Sequence, residues 1–359
     1  MKFSLPRFGK KSVLGLDIGS GSVKAVEIDV KDPDKGFELL GLGIAPMPHE
    51  AIVQGAFLNS SAIVSAIEEA VDASGIKTRD AVVAVSGHSV IVKKVTLARM
   101  SAEELESQIQ WEAEQYIPFD VNEVNLEFQI LETAEEPEQM DVLLVAAKKD
   151  LIDDYVQVVT EAGLTPVAVD VASFALANTF ELNQQAEPEG VVALVNIGSH
   201  AVNISVLQNG VPAFTRDIST GGIQYTQEIQ KALSVGFEEA ERVKRGDGTA
   251  DQNQAVLPQE VEDALRAVTD TVVGEISRSL DFFGATTDSS RIEKVMLCGG
   301  GAQVTGLIRA FRERSGLEVE ALNPLARVLP SRAYGAAFLE EAAPLLGVGV
   351  GLAARRSGF

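Results

Sequence analysis

The chain has 359 residues, of which 46% are hydrophobic, enough apolar material for one bilobed molecule or two domains with a sizeable core. Its formal net charge of −22 argues against a nucleic-acid-binding protein, which would carry a basic patch. The single cysteine, Cys298, excludes a disulfide framework and is typical of a reducing cytosol.

The first 85 residues are predicted to form one lobe of an α/β protein. Apolar runs over 13–30 and 37–45 predict strands, and residues 60–73 predict a helix with one apolar face. The run AVVAVSG (81–87) is typical of a short buried strand. This order of strands and helix indicates half of an α/β architecture.

A glycine-bearing turn follows the first predicted strand. Because glycine has no Cβ, backbone N–H groups in such a turn can approach an anion closely. Lys24 adds a positive charge, and Asp17 can hold a metal ion through water. The turn is therefore predicted to bind phosphate. Its candidate residues are Asp17, Gly19, Ser20, Gly21, Ser22 and Lys24.

Residues 86–165 are predicted to form a small α+β subdomain inserted after the first lobe. Two strand-like runs flank a helix that Ser101 and Glu104 introduce with a capping box. A second helix is predicted over 150–163 and assigned to the same subdomain. Residues 166–189 are assigned to an interdomain helix that belongs with the first lobe.

Residues 190–330 are predicted to form a second lobe that repeats the first. The strand VVALVNIG again runs into a glycine-bearing turn, and a second apolar strand follows. The candidate phosphate-binding residues of this second turn are Asn196, Gly198 and Ser199. Two such turns facing each other across a cleft would hold the phosphates of one nucleotide from both sides. Residues 331–359 are assigned to a C-terminal return to the first lobe.

Two further groups of residues are candidates for the rest of a nucleotide. Gly299, Gly300 and Gly301 leave a strand and would let the backbone lie flat against an adenine or ribose, although a tight strand–helix turn uses the same residues. Glu241 and Lys244 lie three residues apart on one helix face. They could contact a ribose and base, or form an ordinary solvated ion pair.

The order of these motifs resembles that of the actin-like ATPase superfamily, which includes actin, the heat-shock chaperones, sugar kinases and FtsA. The resemblance implies an α/β fold of duplicated ribonuclease H-like lobes, with ATP and Mg²⁺ as cofactors. It implies that Asp17 and Asn196 hold the metal through water. It also implies that Glu241 and Lys244 contact the ribose and that Gly299–Gly301 form the adenosine motif.

The resemblance implies ATP binding more directly than ATP hydrolysis. Asp170 falls where the superfamily carries a carboxylate or amide near the attacking water, so it is the candidate catalytic residue. The second turn departs from the superfamily because it begins with Asn196 instead of aspartate, and an amide carries no charge and cannot act as a base. His200 replaces a further glycine and is either a phosphate contact or a solvent-facing turn residue. We therefore expect a protein that holds ATP with weak or no ATPase activity.

Within the superfamily the chain resembles the PilM family of type IV pilus assembly proteins. The matching segments are 98–131 and 142–177, and the run WEAEQYIPF (111–119) is the most specific piece. The resemblance implies that residues 86–165 form the IC subdomain of FtsA and PilM. It also implies a cytoplasmic protein at the cytoplasmic face of the inner membrane, within the machine for twitching motility, that reaches the membrane only through partners.

The resemblance implies specific partners. PilM-like proteins hold the N-terminal cytoplasmic tail of the membrane protein PilN in a groove between the first lobe and the IC subdomain, and they link the inner-membrane complex to the motor ATPases. We expect binding of the PilN tail to depend on nucleotide. Two alternatives stay open from the sequence: an FtsA-like cell-division filament protein and a small-molecule kinase of the same superfamily. A role in type II secretion is also compatible with the sequence.

Overall fold

The computed structural model describes residues 12–32, 36–131, 136–184, 189–245, 258–286, 291–331 and 333–355. The strands are β1 (Leu14–Ile18), β2 (Ser22–Asp32), β3 (Gly36–Pro46), β4 (Ile52–Val53), β5 (Ala56–Phe57), β6 (Asp80–Val85), β7 (Val90–Ala98), β8 (Val124–Leu131), β9 (Gln139–Lys148), β10 (Thr165–Val171), β11 (Val191–Ile197), β12 (Val202–Gln208), β13 (Val211–Ile218), β14 (Lys294–Cys298), β15 (Glu318–Ala321) and β16 (Val328–Leu329). The helices are α1 (Ser60–Ser74), α2 (Ala102–Ala113), α3 (Lys149–Glu161), α4 (Ala172–Asn183), α5 (Gly222–Leu233), α6 (Phe237–Arg245), α7 (Gln259–Thr286), α8 (Leu307–Ser315), α9 (Ala336–Ala342) and α10 (Gly347–Ala354).

Two mixed sheets form the centres of two lobes and share one topology. The first sheet has the order β10-β6-β1-β2-β3-β16, and the second has the order β13-β12-β11-β14-β15. In each lobe three consecutive strands pair antiparallel, and two later strands add in parallel beside the first of them. The internal duplication and the α/β class predicted from the sequence are therefore confirmed.

The first sheet is covered by helices on both faces. On one face α1 buries Ile63, Ile67 and Ala70 against the sheet. Its N-terminus is capped by the Asn59 side chain, which accepts from the Ala62 N–H, and it ends at Gly75 in the left-handed conformation. On the other face α10 and α4 pack against each other and against the strands. The lobe is thus a three-layer structure with its core on either side of β1.

Glycines let α10 approach its neighbours at backbone contact distance. A Cβ on Gly15 of β1 would lie 2.3 Å from the Gly349 carbonyl oxygen, and a Cβ on Gly351 would lie 1.7 Å from the Ala175 carbonyl oxygen. By length and composition the stretch Ala336–Ala354 is apolar enough to cross a membrane. All eight residues of α10 are buried within this structure, so we interpret α10 as a core helix.

The small subdomain is a three-stranded antiparallel sheet, β7-β9-β8, with α2 on one face. The predicted capping box is present: the Ser101 hydroxyl accepts from the Glu104 N–H, and the Glu104 carboxylate accepts from the Ser101 N–H. Helix α3, assigned to this subdomain from the sequence, instead packs into the first lobe. Its amphipathic face buries Tyr155, Val158 and Val159 in the core beneath α1.

The second lobe and the first meet along α4. Leu176 and Phe180 of this helix pack with Leu194 and Leu207 of the second sheet and with Cys298. The adjacent side of α4, which includes Ala175, packs on α10, and α10 belongs to the first lobe. Since one helix contributes to both cores, the lobes are joined by a shared apolar layer.

Candidate functional site

The first glycine-bearing turn lies where β1 ends and β2 begins. Asp17 and Lys24 stand opposite each other in the antiparallel register, and Lys24 Nζ lies 3.2 Å from Asp17 Oδ2. Both side chains are largely buried. A Cβ on Gly19 would lie 3.0 Å from Lys24 Nζ, so glycine leaves room for the ammonium group beneath the turn. The structure therefore places the Asp17 carboxylate and the Lys24 ammonium group together beside the backbone of the first turn.

The second turn is supported by the N-terminus of α5, which the sequence analysis did not single out. The Gly222 N–H donates to the Gly198 carbonyl oxygen at 2.9 Å, and the Ile223 N–H donates to the Ser199 carbonyl oxygen at 2.8 Å. A Cβ on Gly221 would lie 2.6 Å from both of these carbonyl oxygens. The glycine pair at the start of α5, Gly221 and Gly222, is the signal that would have identified this support.

The two turns touch each other across the boundary between the lobes. His200 Nδ1 lies 3.0 Å from the Ser20 hydroxyl oxygen, and a Cβ on Gly21 would lie 3.1 Å from Ser199 Cβ. His200 is therefore not a freely solvated turn residue. Burial, with His49 and Lys244 nearby, lowers the pKa of His200 below its ordinary value, which favours the neutral imidazole at pH 7.

The triple glycine packs against the end of β11. Gly299 has φ 89°, and its Cβ would lie 2.4 Å from the Ile197 carbonyl oxygen and 2.6 Å from Asn196 Oδ1. A Cβ on Gly301 would lie 2.4 Å from the Ile197 side chain. A tight strand-to-helix turn thus accounts for Gly299 and Gly301. Gly300 between them is exposed and is the member free to face a ligand.

The Glu241–Lys244 pair is not an ordinary solvated ion pair. Lys244 Nζ lies 2.5 Å from Glu241 Oε1, and the two side chains are only 15% and 17% exposed. Lys244 also donates to the Thr226 hydroxyl at 2.9 Å and to the Gly222 carbonyl oxygen at 3.3 Å. Burial lowers the pKa of Lys244, and Glu241 opposes this shift. The pair is therefore fixed against α5, directly beside the second turn.

Asp170 lies apart from the two turns, in a buried ion pair. It pairs with Ala84 in the sheet, and β6 separates its strand from β1. Arg355 Nε lies 3.3 Å from Asp170 Oδ2, and the Val171 N–H donates to Asp170 Oδ1 at 2.8 Å. Asp170 Oδ2 and Arg355 Nε form an ion pair, but their relative orientation does not make a hydrogen bond. The catalytic role of Asp170 stays a prediction, and the structure gives this carboxylate a partner within the first lobe.

A chain of side-chain hydrogen bonds begins at Asn196 and leaves the second turn. Asn196 Nδ2 donates to Asn203 Oδ1 at 3.2 Å, and Asn203 Nδ2 donates to Asp217 Oδ1 at 2.8 Å. The other Asp217 oxygen accepts from the Gly87 N–H. Gly87, with φ 93°, stands at the entry to the small subdomain. We call the set Asn196, Asn203, Asp217 and Gly87 the amide relay.

The amide relay gives a physical reason for asparagine at position 196. Asp217 is an acceptor, so Asn203 must turn its amide nitrogen toward Asp217 and its oxygen toward residue 196. That residue must then donate, which an aspartate cannot do. The oxygen of Asn196 accepts from the Cys298 thiol at 3.6 Å. Burial raises the pKa of Cys298 to about 12, so the thiol keeps its proton.

Few side chains near the two turns could bind a metal ion. Among the residues that the structure describes, no cluster of three or more His, Cys, Asp and Glu side chains could hold a metal ion. Asp17 and Asn196 are the two predicted metal partners, and Asn196 already uses both ends of its amide. A metal at this site would therefore depend on water and on the oxygens of a bound phosphate chain.

The duplicated sheets and the two facing turns define an actin-like protein of the ATPase superfamily. A family model described as type IV pilus assembly protein PilM matches residues 15–357. The chain therefore belongs to the PilM family and is an actin-like protein of type IV pilus assembly. The resemblance inferred from the sequence is confirmed, and the family match supports pilus assembly over the cell-division and kinase alternatives.

Three similar proteins illustrate this placement. A chain of a PilM–PilN type IV pilus biogenesis complex is 29% identical, with a TM-score of 0.84, over 97% of this chain and 99% of that one. Cell division protein FtsA of Bacillus subtilis (strain 168) is 24% identical over 87% of this chain and 78% of its own length. MreB5 of Spiroplasma citri bound to AMPPNP shares the fold, with 12% identity and a TM-score of 0.50 over 96% and 95% of the two chains.

Proposed function

We propose that this protein binds ATP–Mg²⁺ between its two turns and, in that state, holds the N-terminal cytoplasmic tail of PilN at the inner membrane. The observation that carries the proposal is the direct contact of the turns, from Ser20 to His200, across the boundary between the lobes. The similar chain of the PilM–PilN complex supports PilN as the partner. The pilus inner-membrane complex and the motor ATPases are the further partners that we propose.

The residues at the turns fit a triphosphate. Lys24, the serine hydroxyls and those backbone N–H groups of the turns that make no hydrogen bond within the turns can donate hydrogen bonds to phosphate oxygens. Bound Mg²⁺ would neutralise part of the phosphate charge. Glu241 and Lys244 would flank the ribose, and the exposed Gly300 would lie against the adenosine. The proposed role of the site is holding rather than rapid hydrolysis, because Asn196 supplies no charge and its amide is committed to the relay.

The amide relay offers a route by which nucleotide could affect partner binding. It joins Asn196, beside the proposed phosphate site, to Gly87 at the base of the small subdomain. His88 Nε2 also lies 3.0 Å from the Ser219 hydroxyl oxygen, so two consecutive residues at this base are held by the second lobe. A nucleotide that shifts the second turn would shift these contacts, and can bias partner binding by its differential affinity for the two arrangements.

Among its described residues, the small subdomain has one large aromatic side chain that is mostly exposed. Trp111 on α2 is 65% exposed, whereas Ile117 from the same run, 111–119, is in the subdomain core. Tyr116 and Phe119 are partly buried and lie beneath Lys93 and Lys148. We therefore propose that Trp111 contributes to partner binding and that Ile117 serves the fold of the subdomain.

The first prediction tests the proposed function directly. We expect a peptide of the PilN N-terminal tail to bind more tightly with ATP–Mg²⁺ than with ADP or without nucleotide. Lys24→Ala should weaken ATP binding at least about tenfold, since it removes a charge-assisted contact. It should also abolish the effect of ATP on the peptide. Isothermal titration calorimetry measures both affinities. Equal peptide affinity in all three nucleotide states would exclude nucleotide control.

The second prediction concerns the amide relay. Asn203→Leu keeps the branched shape of the buried side chain but removes both hydrogen bonds, so we expect ATP to bind within about threefold of wild type. The peptide affinity should then be nearly the same with and without ATP–Mg²⁺. Ser205→Ala is the matched control, because Ser205 is buried on the same strand and its hydroxyl has no hydrogen-bond partner among the described residues. Retention of the ATP effect in Asn203→Leu would show that the relay does not carry it.

A further inference from the structure

A cavity lined by apolar and charged side chains lies in the second lobe, away from the two turns. It has a volume of about 400 Å³ and lies between the C-terminal half of α7 and the C-terminal end of α8. Ile292, at the start of the segment leading into β14, lines it, whereas the triple glycine follows the other end of that strand. At about 3.3 Å per residue, the cavity and Gly299 are roughly 20 Å apart along the sheet. This cavity is therefore separate from the proposed nucleotide site.

Three arginines line this cavity in a chain whose net charge is −22. Arg278 comes from α7, Arg314 from α8, and Arg291 from the segment before β14. Arg278 Nη2 lies 3.6 Å from Glu275, while the described residues provide no ion-pair partner for Arg291 or Arg314. Among the described residues of the lining Asp281 is the one carboxylate, so even with Glu275 beside Arg278 these groups carry an excess of positive charge.

The arginines converge on a glycine in the middle of α7. A Cβ on Gly274 would lie 3.1 Å from Arg314 Nη2 and 3.6 Å from Arg278 Nη1, so both guanidinium groups stand over the same point. Glycine inside a helix is unfavourable compared with alanine, and here it opens the floor of the cavity. The Ser277 hydroxyl oxygen, also in the lining, is buried and has no hydrogen-bond partner among the described residues.

Ordinary structural roles explain only part of this arrangement. Arg314 lies in the last turn of α8, where a cation interacts favourably with the helix dipole. That reason does not apply to Arg278 inside α7 or to Arg291 outside any helix. Glu275 and solvent screen Arg278 only in part, and an anion between the two guanidinium groups would remove their remaining repulsion. Guanidinium groups also bind phosphate oxygens in pairs.

We propose that this arginine cavity, lined by Gly274, Ser277, Arg278, Arg291 and Arg314, binds a small soluble anion that carries more than one phosphate group. Arginines from three segments can contact separate phosphate groups, and the volume lies in the range of small-molecule sites. Ser277 would donate its unused hydroxyl hydrogen to the same anion. A phospholipid headgroup is the less suitable source of this chemistry, because a strongly acidic protein is repelled by an anionic bilayer.

The probe for the test is inorganic pyrophosphate, titrated into the full chain by calorimetry at low ionic strength. The titrations are done in the Lys24→Ala background, so that binding at the two turns is suppressed. We expect one pyrophosphate to bind, and the additional substitutions Arg278→Gln and Arg314→Gln to weaken binding at least tenfold. Arg266→Gln is the matched control, because Arg266 is equally exposed on α7 but outside the cavity, and it should leave the affinity within twofold.

A second variant distinguishes loss of the binding site from loss of folding. Gly274→Ala should weaken pyrophosphate binding by displacing Arg314, while the melting temperature stays at or above that of the parent. Absence of pyrophosphate binding, or equal binding by the Arg278→Gln/Arg314→Gln variant, would overturn the proposal. Co-sedimentation with phosphatidylglycerol vesicles that depends on the same two arginines would also overturn it, by assigning the site to a lipid headgroup.

Discussion

Replacing Gly351 with alanine is expected to destabilise the protein by at least about 3 kcal/mol, because the added methyl group has no space. The Cβ would lie 1.7 Å from the Ala175 carbonyl oxygen and 2.5 Å from its carbonyl carbon. Both atoms belong to the backbone of α4, so no side-chain rotation can relieve the contact. Either α10 or α4 must move, and α4 also packs on the second lobe. Urea denaturation followed by circular dichroism measures this loss.

Gly284→Ala is the control for the Gly351→Ala substitution. Gly284 also lies inside a helix, α7, but a Cβ there would have no other atom within 4 Å. The free energy of unfolding of this variant should therefore stay the same or rise by up to about 1 kcal/mol, as helix propensity predicts. If both glycine variants proved equally stable, the close packing of α10 on α4 would be wrong.

Arg355→Met is expected to lower the free energy of unfolding by about 3–5 kcal/mol at pH 7, because it leaves the Asp170 carboxylate buried and without its ion-pair partner. The two side chains are only 11% and 4% exposed, so water can replace little of the lost interaction. Asp170→Leu combined with Arg355→Met removes both charges and should recover most of the lost stability. Chemical denaturation of the single and double variants measures these differences.

The Arg355→Met variant should also show a characteristic dependence on pH. Burial raises the pKa of Asp170, and Arg355 opposes this shift in the wild type. Without Arg355 the folded state binds a proton at Asp170 at a higher pH than the unfolded chain does. Its stability deficit relative to wild type should therefore shrink as the pH falls from 7 toward 5. A deficit that stays constant over this range would show that Asp170 is not the source of the loss.

The same pair decides between two roles for Asp170. A structural role predicts that the Asp170→Leu/Arg355→Met double variant keeps ATP binding and any ATPase rate close to wild type. A catalytic role predicts that this variant loses hydrolysis although its stability is recovered. The ATPase rate and the free energy of unfolding of one variant therefore distinguish the two roles.

Several parts of the fold were predictable because their signals are local. The glycine turns, the capping box at Ser101 and Glu104, and the repeated order of strands all depend on residues close together in the sequence. That the two turns face each other was predictable for a different reason. Duplicated lobes place equivalent strand ends at a common cleft, so the first turn and the second turn were expected to face each other.

Other features lay beyond the sequence because they depend on which distant segments meet. An amphipathic helix such as α3 must bury its apolar face, but the pattern does not say in which core. The ion pair of Asp170 with Arg355 and the convergence of arginines on Gly274 likewise join residues from separate elements. The hydrophobic periodicity of a sequence does not indicate which distant residues will pair.

The sequence by itself determined the family, the duplicated α/β lobes and the two glycine-bearing turns, because short-range patterns and motif order carry that information. The tertiary structure decided why the second turn carries asparagine. Asn196 must donate to Asn203 because Asp217 accepts from the other end of that amide and also holds Gly87. The direction of a hydrogen-bond chain depends on all its members at once, and these four residues come together only in the folded protein.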